Sequence, residues 1–241
     1  ERLVPVLDHV PRHADHALIY GQDPCVVSLA YLAWTLWCIG ESDEASARTV
    51  AALQLAQQIN HPYSLVIATT YASVQQQFQG NAHACLEQAQ EAIALAERYG
   101  FTLWLSMAKF LRGWSLAQLA QFEAGLAEMQ ESITLFRSTG AELGAAYFAG
   151  LLAETLADNG QSDLGLLAIG EAFDLLDRAQ DRWCEAELYR IQARLMNLYA
   201  ESLKDDSMHN DAKTILHNAI EIAQRQSARH WEERCRRDLI T

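Results

Sequence analysis

Three histidines near the start of the chain have a spacing that could bind a transition metal. His9, His13 and His16 stand at positions i, i+4 and i+7 of the stretch HVPRHADH, so a helix would place them on one face. Imidazole nitrogens are common ligands of zinc and related metals. However, Pro11 would disturb a helix here, and Asp15 is the one nearby carboxylate that could complete the set. We therefore predict solvated or capping histidines and no metal site.

Two arginines in the last third of the chain could bind a carboxylate. Arg190 and Arg194 are one helical turn apart, and the guanidinium fork suits bidentate binding of a carboxylate. The pair stands out because the chain carries a net charge of −13. Glu187 offers the alternative, which is an ion pair with one of these arginines inside the same helix. The sequence leaves both interpretations open.

The common catalytic motifs are missing from the sequence. GxxxxGK[ST], HExxH, GxSxG and GxGxxG do not occur. We therefore expect a protein that is not an enzyme and that needs no cofactor.

The composition favours helices over strands. Half of the 241 residues are hydrophobic, and the chain has only 4 prolines and 12 glycines. Alanine, leucine, glutamine and glutamate, which lose least on entering a helix, are abundant. The sequence therefore predicts an all-α fold.

The charge pattern and the cysteines limit the possible partners and locations. An acidic surface repels phosphate backbones, so we expect no nucleic-acid partner. The basic stretch 225–237 is interrupted by Glu232 and Glu233, and we predict that it forms a solvated helix face. No apolar run is long enough to span a membrane. The five cysteines lie far apart without a CxxC pair, which is typical of reduced thiols in a cytoplasmic protein.

The sequence repeats itself every 40 residues. Turn positions recur at Gly40, Gly80, Ala120 and Gly160, and helix ends recur at Asn60, Gly100, Gly140 and Gln180. Glycine and asparagine accept the left-handed backbone conformation that follows many helices. The repeat therefore predicts a pair of antiparallel helices in each 40-residue unit.

Small residues recur at fixed offsets in these repeats. One column contains Ala33, Ser73, Gly113, Ala153 and Ala193, and a second contains Ala45, Cys85, Gly125 and Gly165. Small residues allow helix axes to approach closely. No single pair can bury its apolar faces alone, so neighbouring pairs must stack into a solenoid. The pattern predicts a right-handed α-α superhelix.

We assign residues 1–241 to a single helical-repeat domain and expect it to be a fragment of a longer protein. The predicted repeats are 24–62, 63–101, 102–141, 142–181 and 182–227. The stretch KDDSMHN, residues 204–210, is predicted to be a polar insertion in the last repeat. Terminal helices are predicted at 1–20 and 228–241.

The repeats resemble the tetratricopeptide repeat. In the fourth repeat, Ala149-x2-Leu152-Ala153-x2-Leu156 and then Gly165-x3-Ile169 with Ala172 match small and apolar key positions of that motif. The period of 40 residues, instead of about 34, is comparable to that of HEAT-type helix pairs. The columns of small residues favour the tetratricopeptide-like interpretation.

Five short stretches resemble the C-terminal repeat region of large bacterial signalling proteins. They are YGQDP (20–24), LRGWSLAQ (111–118), STGAELG (138–144), RWCEAELYR (182–190) and HWEERC (230–235). In those proteins a nucleotide cyclase, a kinase or a DNA-binding domain accompanies a signal-transduction ATPase module and the repeats. The resemblance implies a regulatory scaffold whose partner is a protein, a peptide or the attached ATPase or output domain.

In tetratricopeptide-like solenoids, the first helix of each pair lines a concave groove. Trp34 and Trp114 share one offset of that face, directly after the first column of small residues. The predicted groove residues are Trp34, Trp37, Gln77, Phe110, Trp114, Tyr147, Glu154, Arg190 and Arg194.

We predict that this groove binds an extended or helical peptide. Tryptophan and phenylalanine would anchor apolar side chains at one end, and the arginines would hold a carboxylate at the other. An alternative is a small-molecule sensor, with the ligand held among Trp34, Phe110, Trp114 and Tyr147. Self-association through the terminal helices is a third possibility.

Overall fold

The computed structural model describes residues 13–203 and 206–240, which form helices and no strand. Twelve α-helices follow one another: α1 (His13–Tyr20), α2 (Pro24–Cys38), α3 (Ser42–Ile59), α4 (Pro62–Phe78), α5 (Ala82–Tyr99), α6 (Thr102–Gln118), α7 (Phe122–Ser138), α8 (Ala145–Asp158), α9 (Ser162–Ala179), α10 (Glu185–Leu203), α11 (Asp206–Arg225) and α12 (Arg229–Ile240). A 3₁₀ turn, Arg182–Cys184, precedes α10. The prediction of an all-α superhelical solenoid is confirmed.

Local sequence explains where these helices begin and end. The Asp23 carboxylate accepts hydrogen bonds from the backbone N–H groups of Cys25 and Val26, each at 3.0 Å, and Pro24 is the first residue of α2. After α3, Asn60 adopts the left-handed conformation with φ of 53°. Gly100 does the same after α5, with φ of 73°.

The first helices of successive pairs form the inner layer of the superhelix. α2 contacts α4, α4 contacts α6, α6 contacts α8, and α8 contacts α10. The second helices contact mainly the first helices before and after them in the chain. The concave surface is therefore built from the first helices.

The two columns of small residues face each other within a pair. A Cβ atom built on Gly113 of α6 would lie 2.7 Å from the carbonyl oxygen of Gly125 in α7. In the preceding pair, the Ser73 hydroxyl donates a hydrogen bond of 3.0 Å to the carbonyl of Cys85. These helices therefore cross at near backbone-to-backbone distance, and only small side chains fit at the crossing.

Replacing Gly113 by alanine should lower the free energy of unfolding by about 1–3 kcal/mol, because the new methyl group must push α6 away from α7. Gly170 provides a matched control, since a methyl group added at this exposed position of α9 would meet no atom within 4 Å. Gly170→Ala should raise stability by up to about 1 kcal/mol through helix propensity. Urea unfolding followed by circular dichroism measures both changes. Equal stability of the two variants would show that the helix crossing is not at Gly113.

The ends of the chain differ in part from the sequence prediction. Residues 206–210, which belong to the predicted polar insertion, form the start of α11. Lys204 and Asp205 lie outside the described residues. The predicted first helix, 1–20, is described only from His13, and no described helix is long and apolar enough to cross a membrane.

The last part of the chain returns to contact the first. Trp34 of α2 lies edge-on to Trp183, with 4.5 Å between the ring centroids. The Ser42 hydroxyl at the start of α3 lies 2.6 Å from Nε2 of His230 in α12. The superhelix therefore closes on itself, and α12 is brought to its inner layer.

Candidate functional site

The candidate site is the concave surface, and α12 occupies it. Trp231 of α12 is fully buried. Its ring centroid lies 4.7 Å from that of Trp37 in α2, 6.0 Å from Phe78 in α4 and 6.1 Å from Tyr147 in α8. The first helices of three helix pairs, α2, α4 and α8, therefore form one aromatic pocket, and the Trp231 side chain of α12 lies in it.

A buried ion-pair cluster adjoins this pocket. Glu187 of α10 is fully buried and accepts hydrogen bonds from Arg190, at 2.8 Å, and from Arg234 of α12, also at 2.8 Å. Arg234 also donates to the backbone carbonyl of Phe78 at 2.7 Å. Its guanidinium carbon lies 5.0 Å from the ring centre of Trp231, within cation–π range. One arginine of α12 thus joins α4 and α10 across the groove.

The charges of this cluster stabilise one another. Burial by itself raises the pKa of Glu187, but the positive charges of Arg190 and Arg234 outweigh it and lower the pKa to about 2. Burial lowers the pKa of Arg234, and the charge of Glu187 more than compensates, so the net shift is upward. Burial raises the pKa of the Cys235 thiol to about 12. These shifts move the three pKa values further from neutral pH, so none of these groups changes its charge there.

The predicted arginine pair is bound to carboxylates of the chain itself. Arg190 contacts Glu154 and Glu187, and it also donates to Asp238 of α12 at 2.7 Å. Arg194 donates to Asp158 at 2.6 Å and contacts Glu154. The intrahelical alternative, Glu187 with Arg190, is therefore present. A ligand carboxylate would have to displace one of these partners, so the arginines do not form the open carboxylate site that the sequence suggested.

The other predicted groove residues are divided between the α12 site and the core. The Tyr147 hydroxyl donates to Oε1 of Gln77 at 2.8 Å, and both side chains are buried. Phe110 packs on Phe148 with 4.5 Å between centroids. The residues near α12 are Trp37, Tyr147, Glu154 and Arg190, and Gln77 is held by Tyr147. Phe110 and Trp114 are buried in the core, and Trp34 and Arg194 are half-buried.

The sequence prediction missed the residues that α12 contributes. Arg234 and Trp231 belong to the basic stretch that was predicted to be a solvated face, and that prediction is wrong for its inward side. Ala228, Trp231 and Cys235 are buried, and their spacing of i, i+3 and i+7 is the signal of a buried helix face. The outward side does behave as predicted, since Arg236 is exposed and pairs with Glu232.

His13, one of the three histidines near the start of the chain, contacts the residue that caps α2. Nδ1 of His13 lies 2.8 Å from the Asp23 carboxylate, and the same carboxylate caps α2. His13, Asp23 and Cys25 are buried, with possible ligand atoms all within 4.8 Å of one another. Asp23 already accepts three hydrogen bonds in this arrangement, which a structural role explains. His9 lies outside the described residues.

Comparisons with known proteins support the fold. No protein-family model matches the chain. An uncharacterised protein of Rhizobium meliloti (strain 1021) is 23% identical over 219 residues, which are 91% of this chain and only 21% of that protein. The crystal structure of the apo form of RapI matches with a TM-score of 0.56 and 11% identity, over 99% of this chain and 93% of RapI.

The fold is a tetratricopeptide-like helical repeat. The identity to RapI is low, so this similarity concerns the arrangement of the helices alone. The Rhizobium protein is about five times as long as the aligned segment.

Proposed function

We propose that the chain is a non-catalytic protein-interaction module whose concave groove binds an amphipathic helix. The observation that carries this proposal is α12 itself, which lies in the groove as a helical ligand would. Binding of a helix by its apolar face in a groove is a recurrent mode of peptide recognition. Here the bound helix belongs to the same chain.

The contacts of α12 define what a partner helix must present. It needs an aromatic side chain for the pocket of Trp37, Phe78 and Tyr147, as Trp231 provides. Three residues later it needs an arginine that reaches Glu187, as Arg234 does. A partner helix with tryptophan and arginine at this spacing would make the same contacts in the groove.

In this proposal α12 regulates access to the groove. A tethered helix competes at an effective concentration on the order of millimolar, so a partner must bind tightly or must meet a loosened α12. The resemblance to the repeat region of bacterial signalling proteins supports an attached ATPase or output domain as the partner. The attached domain would then respond to whether α12 or the partner helix occupies the groove.

A peptide of residues 226–240, labelled with fluorescein and kept reduced, tests the proposal. Arg234→Ala in the full chain removes the partner of Glu187 and loosens α12, so the peptide should bind this variant in a saturable manner. The wild-type chain should bind it at least about tenfold more weakly, because its own α12 competes. Fluorescence anisotropy measures both affinities, and circular dichroism establishes that the variant is folded.

Arg236 supplies the control on the same helix. Its side chain is exposed and pairs only with Glu232 among the contacts described. The Arg236→Ala chain should therefore behave like wild type, and a peptide with Arg236→Ala should bind like the original. A peptide with Arg234→Ala should lose most of its affinity. Equal binding of the two altered peptides would contradict recognition through Glu187.

A further inference from the structure

A cavity of about 480 Å³ lies where the superhelix closes. Its walls come from α2, the loop before α8, the 3₁₀ turn before α10 and the loop between α11 and α12. A second cavity of about 170 Å³ extends inward from the same place. The two share Tyr31, Trp34, Leu143 and Trp183 as lining residues. Together they have the size of small-molecule sites in proteins.

The lining of the smaller cavity is mainly aromatic, that of the larger cavity is mainly apolar with three aromatic residues, and neither carries an unbalanced charge. The Tyr31 and Trp34 rings are stacked at 6.1 Å, and Trp183 closes one side against Trp34. The charged side chain that lines the larger cavity is Arg182, and it pairs with Asp177 and Glu185. Such walls favour the flat face of an uncharged aromatic molecule over an ion.

Two buried polar atoms in these walls lack a hydrogen-bond partner among the described residues. Gln226 is one of the lining residues of the larger cavity; its Oε1 is buried and unpaired, while the amide nitrogen of the same side chain donates to the Arg182 carbonyl at 2.8 Å. Trp104 is one of the lining residues of the smaller cavity, and its buried Nε1 is the second unpaired atom. Buried polar atoms are nearly always satisfied, so each calls for a partner. One needs a donor and the other needs an acceptor.

We propose that these joined cavities bind a flat, uncharged heteroaromatic small molecule. Its rings lie against Trp34 and Trp183, an N–H or O–H group donates to Gln226, and an acceptor atom faces Trp104. The larger cavity shares no wall residue with the Trp231 pocket, whereas the smaller cavity shares Phe78 and Tyr147 with it. The site makes the module a sensor as well as a scaffold.

The position of the cavity explains how a bound molecule would act. Its walls include Trp34 of the first repeat and, at the other end of the chain, Gln226 and Ala228 in the segment that leads into α12. A molecule that contacts both ends favours the closed superhelix with α12 in place, because only the closed form brings them together. Ligand binding and groove occupation are thereby coupled.

A fluorescence titration with aminoanthracene tests the site. This probe is neutral, has three fused rings and one amino donor, and becomes brighter in an apolar environment. Leu143 is about half exposed, at 50%, and lines both cavities, so Leu143→Trp should fill the space and weaken probe binding by at least about tenfold. Gln226→Leu, which removes the acceptor, should weaken it by about threefold to tenfold.

The matched control is Leu164→Trp. Leu164 is similarly exposed, at 46%, and belongs to α9 instead of the cavity walls. This variant should bind aminoanthracene like wild type. Unsaturable binding to wild type, or equal affinity for the Leu143→Trp and Leu164→Trp variants, would overturn the proposal. The peptide competition described above tests the contacts of Trp231 and Arg234, which line neither cavity, so either result can fail without the other.

Discussion

Replacing Trp231 by alanine should lower the free energy of unfolding by about 3–5 kcal/mol. The Trp231 side chain is fully buried, and it fills a pocket made by Trp37, Phe78 and Tyr147, which belong to three different repeats. Its removal leaves a cavity that those rings cannot close without moving their helices. Urea unfolding followed by circular dichroism measures the loss.

Hydrogen exchange distinguishes the release of α12 from a general loss of structure. In the Trp231→Ala variant, the amides of α12 should exchange much faster, while those of α6 and α7 should keep most of their protection, because repeat proteins are held by nearest-neighbour contacts. Trp231→Phe keeps an aromatic ring in the pocket and should cost clearly less than the alanine variant. A loss below about 1 kcal/mol in Trp231→Ala would mean that α12 is not held in the groove in solution.

The features that the sequence predicted well are local. The period of 40 residues marks the helix ends because glycine and asparagine are favoured where the backbone turns left-handed, although Gln180 adopts the same conformation with φ of 55°. The columns of small residues predicted the close crossing of Gly113 and Gly125, since both residues lie within one helix pair. Patterns of this kind depend on neighbours a few turns away and can be read from one sequence.

The position of α12 depends on the whole superhelix and could not be read in this way. Arg234 meets the carbonyl of Phe78, which is 156 residues earlier in the chain. Whether the two meet depends on small rotations between successive repeats, and these accumulate along the stack. The pattern of Ala228, Trp231 and Cys235 does indicate a buried face, but it does not indicate which surface covers that face.

The contacts between the arginine pair and carboxylates of other helices also depend on the whole superhelix. The sequence placed Arg190 and Arg194 on the groove side and left open whether their partner was a ligand or Glu187. Asp238 and Glu154 come from other helices, so their contacts with Arg190 required the folded structure. Asp238 of the resident helix thus contacts Arg190 where one of the two interpretations placed a ligand carboxylate.

Glu187→Gln should lower the free energy of unfolding at neutral pH by about 3 kcal/mol, because Arg190 and Arg234 then share a buried site without their central negative charge. In the folded chain the pKa of Glu187 is lowered to about 2, whereas an unfolded glutamate has a pKa near about 4.3. The ionised carboxylate therefore contributes stability that is fully present above about pH 4.3 and is lost as the pH falls towards 2. The stability difference between wild type and the variant should shrink over this interval.

Urea unfolding of both chains at a series of pH values between 7 and about 2.5 measures this difference. Glu154 and Asp238 also contact Arg190, but they are present in both chains, so their contributions largely cancel in the comparison. Glu171→Gln is the control: Glu171 and its partner Arg137 are each about half exposed, so this change should cost less than about 1 kcal/mol. A Glu187→Gln loss that stays constant down to low pH would show that the Glu187 charge does not hold α12 and α10 together. The groove would then retain α12 through its aromatic contacts alone, and the arginine of a partner helix would be dispensable.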